Sequence, residues 1–168
     1  MKNTARLILD KPVKEDFDRF YEIHSDPETN LFNPNGAMSL ETAKMAFNEM
    51  LEHWDKNQFG TWSIKEIEKP NYVIGFGGLA DRLYGEEIKL NLGYRFDKDF
   101  WGKGYATELA NKTIAFGLHE LNKPELFAIV RPQHYASIKV LEKSNMKLIG
   151  ELNDVENAAN SLVYSIKK

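Results

Sequence analysis

In the stretch DKDFWGKGYATELA, residues 97–110, Gly102 and Gly104 flank Lys103, and helix-forming residues follow at once. A plain turn from strand to helix needs about one glycine, so a pair suits a loop whose backbone N–H groups must come close to something. A helix starting near Gly102 would leave its first four N–H groups without partners inside the helix. The dipole of that helix would add about half a positive charge at the same end. Lys103 contributes a full charge and Thr107 a hydroxyl. The chemistry this suits is the binding of a phosphate or pyrophosphate.

Other chemistries are poorly supplied. The 168 residues include no cysteine, which excludes disulfides, cysteine nucleophiles and thiolate metal sites. The four histidines lie far apart in the chain, at 24, 53, 119 and 134, and suggest no metal site. GFGGLA, residues 75–80, has the glycine spacing of a dinucleotide fingerprint, but no helical pattern follows it. HELNK, residues 119–123, opens like a zinc-protease motif and ends in Lys123 instead of histidine. A net charge of −3 argues against nucleic acid as a partner. No stretch approaches the roughly 20 apolar residues of a membrane helix, and the N-terminus has no signal-peptide core. The expectation is one domain, residues 1–168, in the cytoplasm and without membrane attachment.

The elements that must hold the glycine loop follow from pattern. Strands are expected at ARLILD, FGTWSIKEI, YVIGFGGLAD, EEIKLNLGYRF, ELFAIVR, MKLIGEL and NSLVYSIK. Helices are expected in VKEDFDRFYEIHSD, after Ser39 as N-cap, from the glycine loop to about Leu121, and in HYASIKVLEKSN. In EEIKLNLGYRF, Ile88, Leu90, Leu92 and Tyr94 share one face. The fold class is therefore α/β (α+β): a mixed, mostly antiparallel sheet of about seven strands with helices on both faces.

LNLGYRFDKDFWGKGYATELANKTIAFGL, followed by RPQHYASIKVLEKSNMKLIG, resembles the Gcn5-related N-acetyltransferases (GNAT). It is most similar to the branch of ribosomal-protein N-terminal acetyltransferases (RimJ/RimL-type) and their small-amine relatives. The opening ARLILDKPVKEDFDRFYEIHSDPE resembles the same branch. Gly102 and Gly104 match the family's phosphate loop, with Asp99 where glutamine or arginine is usual. The resemblance implies acetyl-coenzyme A as co-substrate, with its pyrophosphate on the amides from Gly102 through Lys103, Gly104, Tyr105 and Ala106 to Thr107. It places the pantothenate arm along the strand from Leu92 past Tyr94 to Phe96, and His134 and Lys143 beside the cofactor. His134 stands where asparagine is usual.

The resemblance also supplies expectations for catalysis. The wider family often has a tyrosine where this chain has Leu141; the ribosomal branch uses a serine one turn earlier, and Ser137 sits there. The branch's glutamate, proposed to act through water, is replaced by Asn91, which takes no proton at neutral pH. Glu87 and Asp81 are alternative bases. Asn145 stands where glycine usually ends the following helix, and asparagine tolerates the same left-handed cap. The expected acceptor is a primary amine, of a small molecule or a peptide or protein N-terminus, and a homodimer is compatible with the reading. The acceptor wall is expected within residues 1–60, with Phe32 and Trp54 as apolar contacts. Those residues carry 11 acids and 7 bases, which would favour a neutral or cationic amine. The alternative is a non-catalytic acyl-coenzyme A sensor or regulatory module.

Overall fold

The computed structural model describes residues 2–168. In chain order its elements are β1 (Lys2–Asn3), β2 (Leu7–Asp10), α1 (Phe17–Ser25), α2 (Leu40–Asn57), β3 (Thr61–Glu66), β4 (Lys69–Tyr84) and β5 (Glu87–Phe96). Then follow α3 (Tyr105–Ala115), a π-helical turn (Phe116–Glu120), β6 (Glu125–Val130), α4 (Tyr135–Lys143), β7 (Lys147–Leu152) and β8 (Ser161–Lys167). The strand order is β1-β2-β3-β4-β5-β6-β8-β7. β5 and β6 pair parallel, whereas β1–β2, β2–β3, β3–β4, β6–β8 and β7–β8 pair antiparallel. The expected mixed, mostly antiparallel sheet is thus present, its seven anticipated strands being β2 to β8. No helix among the described residues is long and apolar enough to cross a membrane.

The chain forms two compact units, Met1–Gly78 with Tyr94–Tyr105, and Leu79–Gly93 with Ala106–Lys168. In the first, α1 and α2 bury one apolar side each. Phe20, Ile23, Ala43 and Phe47 close around Val73 and Phe76 of β4. The rings of Phe20 lie 5.1 Å from Phe47 and 5.2 Å from Phe76, the tilted and edge-on geometries that aromatic quadrupoles favour. Ser39 caps α2 as its sequence position suggests, its Oγ accepting from the Thr42 N–H at 3.1 Å. Trp54 donates its indole N–H to the Thr61 carbonyl at 2.7 Å and fastens α2 to β3.

In the second unit, the turn at Gly85 and Glu86 returns the chain from β4 into β5. Ile88 beside it is 72% exposed, so it does not share the burial of Leu92, which is 3% exposed. The π-helical turn after α3 brings Gly117 so close to Leu126 and Leu79 that a Cβ there would lie 2.7 Å and 2.9 Å from their methyls. α4 ends as Asn145 predicts. Asn145 adopts φ 63°, and the Met146 N–H bonds the Leu141 carbonyl at 3.0 Å, satisfying an orphan of the last turn. Leu141 and Met146, each 2% exposed, bury the hydrophobic contact that accompanies such a cap.

His24 is buried in the first unit, its ring stacked 3.9 Å from Phe20 and its Nδ1 bonded to the Phe20 carbonyl at 2.8 Å. Burial first, and the charge of Arg95 second, lower its pKa from 6.5 to about 3. Between those values the unfolded chain binds more protons than the folded one, so stability rises with pH. This contribution is complete above about pH 6.5 and is lost as pH falls toward 3, amounting to at most about 5 kcal/mol. The midpoint of thermal unfolding, followed from pH 7 to pH 4, should therefore fall less steeply in His24→Phe than in the wild type. Equal slopes would contradict the buried neutral imidazole.

Candidate functional site: a glycine loop at a helix start

The segment that leaves β5 turns sharply. Asp97 receives the Asp99 N–H on its side chain at 3.0 Å and starts a single 3₁₀ turn, Lys98–Phe100. Gly102 and Gly104 then take φ 74° and 81°, the left-handed region that side chains resist. α3 begins only at Tyr105, not at Gly102 as the sequence suggests, because both glycines are spent on the turn. The first bond within such a helix runs from the Glu108 N–H to the Gly104 carbonyl, so the N–H groups that point out of the helix start are those of Gly104, Tyr105, Ala106 and Thr107.

The space in front of this turn is open. A Cβ on Gly102 would meet no atom within 4 Å, and one on Gly104 would meet only the tip of Arg6 at 3.5 Å. Neighbouring side chains fix the loop from behind. Arg6 donates to the Lys103 carbonyl at 2.9 Å and lies 4.6 Å from the Tyr105 ring centre. The Tyr105 hydroxyl donates to Glu66, so this residue offers a ligand its backbone, not its phenol. The Trp101 indole donates to the Phe96 carbonyl at 3.0 Å. The Lys103 ammonium rests 4.6 Å over the Phe100 ring, held at the loop on an exposed residue. An open turn, fixed amides, a helix dipole and a lysine make an anion site, and the residues fit a pyrophosphate.

On β5, Leu92 and Phe96 are buried, at 3% and 5% exposure, so their side chains face the core and only their backbone can serve a cofactor. Tyr94 is half-buried. β5 meets β6 through the bridge pair Asn91↔Phe127. Asn91 is 9% exposed, and both ends of its amide are engaged. Its Oδ1 accepts from the Tyr84 hydroxyl at 2.7 Å, and its Nδ2 donates to the Leu92 carbonyl at 3.1 Å. Burial pushes the Tyr84 phenol pKa up. Tyr84 was not visible as a site residue, because only the folded hairpin brings it to Asn91. Glu87 is exposed and paired with Lys89 at 3.1 Å, and Asp81 is exposed as well.

On α4, Ser137 is half-buried, and its hydroxyl has no hydrogen-bond partner among the described residues. Leu141, one turn later, is buried. His134 is the N-cap residue of α4, its carbonyl accepting the Ile138 N–H at 3.1 Å, and is half-buried. Lys143 is exposed in the last turn of α4.

Five of the eleven acids of residues 1–60 stand in ion pairs. Asp10 meets Lys65 at 3.3 Å, Asp55 meets Lys11 at 2.6 Å, and Glu22 meets Arg19. Lys98 lies 3.1 Å from Asp26 and 2.6 Å from Glu28. The Asp26 pKa is lowered, chiefly by the Glu28 N–H and then by Lys98. Arg95, which the sequence did not single out, is different: its side chain donates to the neutral Asn30 Oδ1.

Comparison with known proteins gives a consistent picture. A family profile described as "Acetyltransferase (GNAT) domain" matches residues 6–147. A Bacillus licheniformis protein described as an uncharacterized N-acetyltransferase, p20, is 31% identical over 164 residues, covering 95% of this chain and 89% of the relative. A crystal structure of an acetyltransferase from Agrobacterium tumefaciens superposes with a TM-score of 0.83 at 25% identity, covering 99% of this chain and 94% of that one. A spermidine N-acetyltransferase from Vibrio cholerae, in complex with coenzyme A and spermine, superposes with a TM-score of 0.77 at 15% identity, over 97% and 96% of the two chains, a likeness of fold. With its fold, its glycine loop and this profile match over most of its length, the chain belongs to the GNAT acetyltransferases and is an acyltransferase.

Proposed function

We propose that the chain moves the acetyl group of acetyl-coenzyme A to a primary amine, of a small molecule or of a peptide or protein N-terminus, by direct attack in a ternary complex. The observation that carries this reading is the left-handed turn at Gly102 and Gly104, which faces open space and runs straight into α3. The pyrophosphate would lie on the amides of that turn and of Tyr105, Ala106 and Thr107, with Lys103 beside it. The pantothenate arm would follow the backbone of β5 beyond Asn91, where the bridge pairing to β6 ends. Leu92 and Phe96 would contribute through strand geometry, because Asn91 and Trp101 already hold their carbonyls. The neighbouring spermidine N-acetyltransferase, crystallised with coenzyme A and spermine, has the substrate pairing that this reading expects.

In the reaction the neutral amine nitrogen attacks the thioester carbon. A C–N bond forms, the C–S bond breaks, the amine loses a proton and the sulfur gains one. No protein nucleophile is required, in keeping with the absence of cysteine. The free Ser137 hydroxyl would donate to the leaving sulfur as charge builds there. Asn91, held by Tyr84 and the Leu92 carbonyl, would keep the strand in shape and would not accept the amine's proton. Much of the rate would come from holding two substrates in register.

Release of free coenzyme A, measured by its thiol while a panel of small amines and peptide N-termini is offered, tests the proposal. A transferase releases thiol in proportion to acetylated amine; cofactor binding without release from any amine would make the chain a sensor. Gly104→Val should weaken coenzyme A binding tenfold or more in calorimetry, because φ 81° is strained for valine and its methyls would enter the open space. Unchanged affinity in the folded variant would move the pyrophosphate elsewhere. Ser137→Ala should lower kcat by roughly tenfold to a hundredfold, with the coenzyme A Kd nearly intact, as expected of a hydrogen bond made to a developing charge. A wild-type kcat would reduce Ser137 to a packing residue.

A further inference from the structure

Of the four half-buried cations of the first unit, Arg19, Lys65 and Lys98 have an acid beside them; Arg95 does not. Arg19 pairs with Glu22 and Asp97, Lys11 with Asp55, Lys65 with Asp10, and Lys98 with Asp26 and Glu28. Arg95 makes no such pair: among the described residues no carboxylate lies within 4 Å of it, and its hydrogen bond goes to Asn30 Oδ1. Burial alone lowers its pKa, with no charge partner offsetting the loss of water. A cation partly withdrawn from water without an opposite charge is disfavoured in a folded protein.

The surroundings cannot supply the missing charge. His24, close enough to feel Arg95, is held neutral. Asn30 is saturated: its Nδ2 donates to the His24 and Asp26 carbonyls, each at 2.8 Å, and its Oδ1 also accepts from Asn33 Nδ2 at 3.1 Å. Asn30 is therefore a fixed support, and it leaves most of the five guanidinium N–H groups unused. Arg95 is only partly shielded from solvent. The loop holding Asn30 also presents Leu31 and Phe32, 73% and 39% exposed. A fixed, solvent-reachable guanidinium with unused donors is suited to bidentate capture of a carboxylate.

We propose that Arg95 reads a carboxylate on the acceptor, so that the preferred substrate is a primary amine that also carries an anionic group, such as an amino acid or a short peptide with a free carboxylate. This inference rests on the acetyltransferase reading. It reverses the preference that the acid excess of residues 1–60 suggests: a guanidinium acts on a carboxylate at contact distance, whereas a diffuse excess of charge is screened by salt.

The test compares pairs of acceptors that share one amine and differ only in carrying a carboxylate or its carboxamide. Wild-type protein should favour the carboxylate member at least tenfold in kcat/KM. Arg95→Gln should erase that preference while the carboxamide rate and the coenzyme A Kd stay near wild type, and Arg95→Lys should retain part of it. Wild-type indifference, or a preference for the carboxamide member or a polyamine, would overturn the assignment without any mutation. An equal loss for both members in Arg95→Gln would make Arg95 a structural clamp on Asn30. A weakened coenzyme A Kd would make it a phosphate ligand of the cofactor, and either result overturns the proposal. Thiol release from neither member nor any other amine would defeat the transferase reading, and this inference with it.

Discussion

The left-handed turn at Gly102 and Gly104 is the constraint on which the candidate site depends. Two departures into positive φ, on either side of Lys103, let the chain leave β5 and enter α3 with no residue between the turn and the helix. Neither glycine has a side chain to cover the amides that follow, and the helix dipole adds to the charge those amides present. A residue with a Cβ at either glycine would strain the turn and fill the space it faces. The shape is held by contacts of ordinary strength distributed around it: Arg6 on the Lys103 carbonyl, Tyr105 on Glu66, and Trp101 on the Phe96 carbonyl. The loop is therefore preorganised, and a ligand anion would not have to order it.

A second fixed point is Asn30, which gathers the His24 and Asp26 carbonyls, Asn33 and Arg95 around one amide. Together with the Lys98 pairs to Asp26 and Glu28, it ties the connection between α1 and α2 to the end of β5. Local ion pairs decide the electrostatics of this unit more than net charge does. An acid that already has a partner within 4 Å contributes little to a distant field, and at 0.15 M salt the Debye length is about 8 Å. Arg95, half-buried and without an acid, is the exception among the half-buried cations, and its charge remains to be matched.

Much of this was legible in the chain. Alternation and helical spacing gave the strands β2 to β8 and the four helices. Ser39 announced its cap, and Asn145 announced its left-handed end, because both depend on one residue's own chemistry. What depended on partners distant in sequence was not legible. The start of α3 moved to Tyr105 because the turn consumed both glycines. Ile88 follows the alternation of β5, yet it sits beside the hairpin turn and is exposed. Trp54 reads as an apolar contact of the acceptor wall, and only the fold shows its indole N–H on the Thr61 carbonyl. Asn91 stood out only as a missing carboxylate; the Tyr84 hydroxyl that occupies it comes from the neighbouring strand. Arg95 looked like one more strand cation, because a count of charges cannot show which of them lack partners.

The central claim is that the amides of the glycine turn and of the first turn of α3 bind the pyrophosphate of coenzyme A. Amide resonances of the ¹⁵N-labelled protein, followed during titration with coenzyme A, report on those N–H groups directly. The account predicts large shifts and slowed hydrogen exchange at Gly104, Tyr105, Ala106 and Thr107, saturating with the same Kd as calorimetry gives. Saturable binding that leaves these amides unshifted and their exchange unchanged would contradict it.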